Sequence, residues 1–114
     1  MNPHQTVTRL KRTLTLDFAA DDNQIIGTEN INGIVKTIIL VVPALTSTNT
    51  ASITIKDEDG YQLYTATGKA ESTTHVLELT ADTEFPVAGE ISITIDTSGV
   101  EAADVDFVVV IYYQ

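Results

Sequence analysis

The sequence predicts an all-β protein: an antiparallel β-sandwich or small jelly roll of about seven or eight strands, with an extended N-terminal arm. Three observations predict it. Short segments of alternating apolar and polar residues recur along the chain, which is the period of a strand with one wet face. Turn signals separate those segments, and no helical pattern intervenes to carry a crossover. Eighteen threonines stand against five serines, and branching at Cβ suits a pleated surface better than a helix.

The first strand is expected over residues 6–18, where Leu10, Leu14, Leu16 and Phe18 alternate with Arg9, Lys11, Thr13, Thr15 and Asp17. Arg12 falls on the apolar face, so the buried part should begin near Thr13. Residues 19–33 carry Asp21, Asp22, Asn23, Gly27, Asn30, Asn32 and Gly33 and read as a long polar connection. Ile25, Ile26 and Ile31 would pin it to the body or form a short edge strand. Residues 34–42 are apolar on both faces apart from Lys36 and Thr37, which predicts a strand central in its sheet or covered on both sides. Pro43 ends it, and residues 46–50 form a polar loop.

Residues 51–56 alternate again with Ile53 and Ile55 inward, and Asp57-Glu58-Asp59-Gly60 turns the chain into residues 61–67 as a hairpin. A looser strand is expected over 74–80, around Val76, Leu77 and Leu79. Residues 81–89, with Phe85-Pro86, read as a loop. Residues 90–96 then place Ile91, Ile93 and Ile95 on one face. After a turn through Gly99 the last strand, 105–113, is apolar on both faces. Two strands with two apolar faces argue for layers rather than one open sheet.

At 114 residues the chain is one domain by size, divided here into a basic arm, 1–12, and a single β-sandwich domain, 13–114. Charge follows that division. Arg9, Lys11 and Arg12 are half of the six cations, whereas three lysines (Lys36, Lys56, Lys69) accompany all sixteen carboxylates from residue 13 onward. A net charge of −10 argues against general binding to nucleic acid or anionic membrane. No cysteine is present, so neither disulfides nor thiolate metal sites hold the fold. No apolar run has signal-peptide length, and residues 38–42 and 107–113 fall far short of the ~18 residues that span a bilayer.

Catalytic and metal-binding patterns are sparse. Asp57-Glu58-Asp59-Gly60 fails the EF-hand spacing: with Gly60 at the sixth position, Ile55 and Ala66 occupy the first and twelfth. A plain hairpin turn is the preferred reading, and a weak surface calcium site the alternative. His4 and His75 have no neighbouring partner in the sequence, and no glycine-rich phosphate loop occurs. No catalytic residue, metal ligand or cofactor is therefore expected, and the protein is read as a non-enzyme. Tyr61, Tyr64, Tyr112 and Tyr113 read first as packing groups and second as a stacking platform for sugars.

Two segments have a claim to partner binding. Arg9, Lys11 and Arg12 either keep the wet face of an edge strand hydrated or lie as an extended arm on an acidic neighbour. That neighbour includes a second copy of this protein. The final strand is either central in the domain or covered by another subunit, in which case Phe107, Val109, Ile111 and Tyr113 form a subunit interface.

The runs Gly33-Ile34-Val35-Lys36-Thr37-Ile38-Ile39-Leu40-Val41-Val42-Pro43 and Ala51-Ser52-Ile53-Thr54-Ile55-Lys56-Asp57-Glu58-Asp59-Gly60 carry a resemblance, together with the closing residues 107–113. In order and spacing they resemble small β-rich structural proteins of tailed bacteriophages, of the head decoration or cement type. The resemblance covers residues 33–114 and does not include the basic arm. It implies an oligomeric β-sandwich bound outside a capsid shell, with the major capsid protein or another virion protein as partner. It also implies a virion location after synthesis in the host cytoplasm. The alternative is a ligand- or carbohydrate-binding β-sandwich module of a phage tail or other surface assembly.

Overall fold

The structure is a computed structural model and describes residues 9–114. The period-two segments become seven antiparallel strands: β1 (Leu10–Phe18), β2 (Gln24–Val42), β3 (Ala51–Asp57), β4 (Gln62–Lys69), β5 (Thr73–Glu78), β6 (Phe85–Thr97) and β7 (Val105–Tyr113). They hydrogen-bond in the order β1-β7-β2-β6-β3-β4, with β5 also paired to β2.

The nineteen-residue β2 organises the whole. Residues 24–35 pair with β6 along one edge. Its second half pairs with β7 on the other edge and with β5 in line with β6. The chain therefore builds one half from β1, β7, the end of β2 and β5, and another from the start of β2, β6, β3 and β4. Between them the register of β2 against β7 slips from Val35 to Thr37, a bulge that bends the strand. Gly33, at φ +149°, lies just before the bend. A Cβ there would sit 2.6 Å from the carbonyl oxygen of Gln114, so only glycine admits the close approach. That approach is closed by hydrogen bonds from Ile34 N to Gln114 O (2.7 Å) and from Gln114 N to Ile34 O (3.0 Å).

The halves face each other as the two layers of the expected sandwich. Leu14 and Leu16 of β1 reach across to Gly27 in the opposite layer. Between the layers lie Phe18, Ile38, Leu40, Phe107, Val109 and Ile111 from one half and Ile31, Ile53, Ile55, Ile91, Ile93 and Ile95 from the other, all essentially buried. The register stacks Ile53 beside Ile95 and Ile55 beside Ile93, so β-branched neighbours pack in rows. Phe18 and Phe107 meet with ring centroids 5.5 Å apart. At about 1.5–3 kcal/mol for each buried Ile, Leu or Phe, this apolar block dominates the stability.

Glu101 knits the loops at one end. It is only 1% exposed, and its carboxylate accepts hydrogen bonds from Thr46 N (2.9 Å) and Asn49 Nδ2 (2.6 Å). Its backbone bonds to Asp21 and Asp22. One buried side chain thus fastens the β2–β3 loop, and its backbone the β1–β2 loop, to the β6–β7 loop.

Three sequence expectations need correction. Residues 19–33 are not a long polar connection; from Gln24 they form the first half of β2. Residues 85–89 belong to β6, not to a loop. The boundary expected between residues 12 and 13 falls inside β1, because Leu10, Lys11 and Arg12 already pair with Tyr113, Tyr112 and Ile111. Residues 1–8 of the arm, with His4, lie outside the described residues.

Candidate docking face

The outward side of the β1-β7-β2-β5 half follows from register alone. Because Phe107, Val109, Ile111 and Tyr113 point inward, Asp106, Val108, Val110 and Tyr112 point outward. Pairing then defines rows across four strands. The first is Lys11, Tyr112, Thr37 and Glu78; the second is Thr13, Val110, Ile39 and Val76. The third is Thr15, Val108, Val41 and Thr74, and beyond it Asp17 lies opposite Asp106. Val108, Val110, Tyr112, Ile39 and Val41 are half-buried by one another, and Val76 is 58% exposed. Nothing in the described chain covers them.

The outward side of the other layer is different. Its rows are Gln24, Asp96 and Ser52; Ile26, Thr94, Thr54 and Thr65; and Thr28, Ser92 and Lys56. Gln24 Nε2 donates to Asp96 Oδ1 at 2.8 Å, and the Thr54 and Thr65 hydroxyls lie 3.2 Å apart. Apart from Ile26, which is 59% exposed, that face is polar; the other is an apolar band.

The three arm cations separate. Arg9 and Lys11 fall on the outward face, where Arg9 Nη1 donates to Thr37 Oγ1 at 3.2 Å. Arg12 points the other way, as the sequence predicts for a residue on the apolar side. It closes the end of the sandwich, with Nε 3.8 Å from Glu29 Oε1 and its guanidinium 5.8 Å from the centre of the Tyr113 ring. Lys36 is engaged elsewhere, 2.9 Å from Glu84.

Phe107, Val109, Ile111 and Tyr113 are all buried in the chain's own core, on a strand paired along both edges. This is the central-strand arrangement, and it leaves those four side chains no surface to offer. The residues that β7 does expose are the alternate set, Val108, Val110 and Tyr112. The apolar second face of β7 signalled them, as did that of residues 38–42, but period two alone does not say which set faces inward.

The turn at 57–60 behaves as a turn. Asp57 Oδ1 accepts from Asp59 N (3.0 Å) and Tyr61 N (2.8 Å), with Gly60 at φ +87°. Beside it lies a shallow hollow of about 200 Å³ between the hairpin and β6, edged by Glu58, Asp59, Leu63 and Glu90. Among the described residues no three His, Cys, Asp or Glu side chains converge to hold a metal ion. His75 Nε2 is 2.9 Å from the carbonyl of Ala70. Burial pushes the Tyr64 hydroxyl above its ordinary pKa.

No protein-family model matches this chain, and neither does any curated protein sequence. Solved structures similar to it include that of the infectious bursal disease virus Gx strain, at 12% identity and TM-score 0.44 over all of this chain and 36% of that one. Dimeric latent PorU from Porphyromonas gingivalis matches at 10% identity and TM-score 0.42, covering 96% of this chain and 13% of that one. The extra small virus VLP of the giant freshwater prawn Macrobrachium rosenbergii matches at 14% identity and TM-score 0.37, covering 98% and 83%. This chain spans about a third of the length of the first. Likeness at that level carries no inference about what the chain does.

Proposed function

We propose that this protein is a non-enzymatic structural subunit that docks through the outward face of the β1-β7-β2-β5 half, and that it serves as a decoration or cement protein of a virus shell. The contrast between the two outer faces carries the docking part. A band of valine and isoleucine that no other described residue covers keeps apolar area in water, a standing cost that a partner removes. The opposite face pairs Gln24 with Asp96 and Thr54 with Thr65 and exposes a single large aliphatic side chain, Ile26. The virion part rests on the resemblance of residues 33–43, 51–60 and 107–113 to tailed-phage decoration proteins.

The mechanism is burial without chemistry. A subunit that binds the assembled shell and not its free components stabilises the shell by mass action. Many copies on a symmetric lattice then make weak single contacts effective. Co-sedimentation with purified virion shells tests the reading. Val110→Asp, at the centre of the apolar band, should abolish binding, while Thr94→Asp on the polar face should leave it intact. Equal binding by Val110→Asp and the unaltered chain would sink the proposal.

A further inference from the structure

The docking face carries opposite charges at its two ends. Arg9 and Lys11 lie at one end, and Asp17 opposite Asp106 at the other. Six residues of extended strand separate Lys11 from Asp17, roughly 20 Å, which exceeds a screening length of about 10 Å at ordinary salt. The two ends therefore do not neutralise each other within one chain. Asp17 and Asp106 are like charges directly opposite across β1 and β7, an unfavourable pair, and among the described residues neither has a cation within ion-pair distance. Arg9 and Lys11 likewise meet no carboxylate among the described residues. Glu78 lies in their row, but on the far strand β5.

Resting on the docking-face reading, we propose that away from the shell this face is covered by a second copy of the same chain, bound face to face with its strands reversed and displaced when the shell takes its place. A two-fold axis in the interface, running across the strands between the Val110 and Val108 rows, sets each apolar band on the other. The same rotation lays Arg9 and Lys11 of each copy over Asp17 and Asp106 of its mate. The contact is isologous and self-complementary, as a two-fold interface must be. Both unpaired charge clusters are answered twice in one dimer.

Four strands about 4.8 Å apart and roughly 20 Å long give a footprint of roughly 400 Å² per copy, about half of what a standard interface buries per partner. Such a dimer is weak and depends on its charged ends, so salt must loosen it.

Sedimentation velocity of the full chain over a concentration series tests this. Dimer is expected at ~0.05 M NaCl, with affinity reduced at least ~10-fold at ~0.5 M. The double variants R9E/K11E and D17K/D106K should each be monomeric, because each sets like charge on like. Mixed in equal amounts they should form a heterodimer, in which both charge contacts are restored; its formation also shows that both variants are folded. An unaltered chain that stays monomeric at every concentration, or a mixture that stays monomeric, overturns the proposal. So does either double variant that dimerises alone. Shell co-sedimentation separates the two readings: a monomeric chain whose Val110→Asp variant loses shell binding refutes the dimer and keeps the docking face. If Val110→Asp changes neither self-association nor shell binding, both readings fall.

Discussion

Leu16 of β1 packs directly over Gly27 of β2, so close that a single methyl group at position 27 would collide with the Leu16 Cδ2 and press on Leu14. The contact joins the two layers where β1 faces the first half of β2. Glycine here fills a steric role, since its backbone is ordinary strand.

Gly27→Ala gains a little strand propensity, but the methyl must displace two leucine tips in a packed layer. Because those tips are flexible, we expect a net loss of about 1 kcal/mol, rising to roughly 3 kcal/mol for Gly27→Val. Urea denaturation measures both. If the alanine variant is as stable as the parent, the layers are further apart than this contact implies. Combining Gly27→Ala with Leu16→Val should recover part of the loss, since the two changes share one space.

That glycine also explains why the start of β2 was illegible in the sequence. Residues 24–32 do alternate in burial, with Gln24, Ile26, Thr28, Asn30 and Asn32 outward and Ile25, Gly27, Glu29 and Ile31 inward, although the outward Ile26 breaks the polar row. Two inward positions are not apolar, for specific tertiary reasons: Gly27 makes room for Leu16, and Glu29 meets Arg12. Pro86 hid the start of β6 in a similar way. It pairs with Ile34 of β2, whereas β3 joins β6 only from Ile91, so the proline lies where one edge of β6 is free. The strands whose inner positions are mostly isoleucine, valine or aromatic, β3, the later part of β6 and β7, were legible to within a residue or two. The docking face was half legible. The two-sided runs at 38–42 and 105–113 announced an apolar outer surface, but the identity of its residues needed the register of β1 against β7.

Glu101 should be worth more than any exposed carboxylate. Removing it in Glu101→Ala leaves the part-buried Thr46 N–H without its acceptor and takes from the Asn49 amide one of three, the carbonyls of Gly99 and Val100 remaining. The expected loss is about 1–3 kcal/mol. Hydrogen exchange should localise the damage to residues 43–50 and 98–104 before the strands are affected. Uniform loss of protection would instead mean that Glu101 holds the whole sandwich, not its loop end.

Tyr64 packs against Phe85 with ring centroids 6.2 Å apart, and burial raises its hydroxyl pKa. The sign of the pH effect follows. Below the pKa of an unfolded tyrosine both states are protonated, and the full stability is present. As pH rises from there through the folded pKa, the unfolded chain releases its proton first and stability falls. Stability should therefore decline as pH rises past the ordinary tyrosine range, and Tyr64→Phe should shrink that decline while preserving the aromatic contact. An identical alkaline slope in the phenylalanine variant would assign the effect to other groups.

The three cations at the chain's basic end should divide by experiment as they divide in space. Arg12 caps the gap between the layers beside Glu29 and Tyr113, with its side chain about half exposed (49%), so Arg12→Ala should cost no more than about 1 kcal/mol of stability. It should leave self-association unchanged, because Arg12 points away from the docking face. Lys11→Ala reverses the pattern: its side chain lies outward beside Tyr112, so stability should hold while dimer affinity falls and the salt dependence flattens. Equilibrium denaturation and sedimentation on the same two variants give four readings. A matched loss of affinity in both variants would mean that net charge, and not the direction in which each side chain points, governs association.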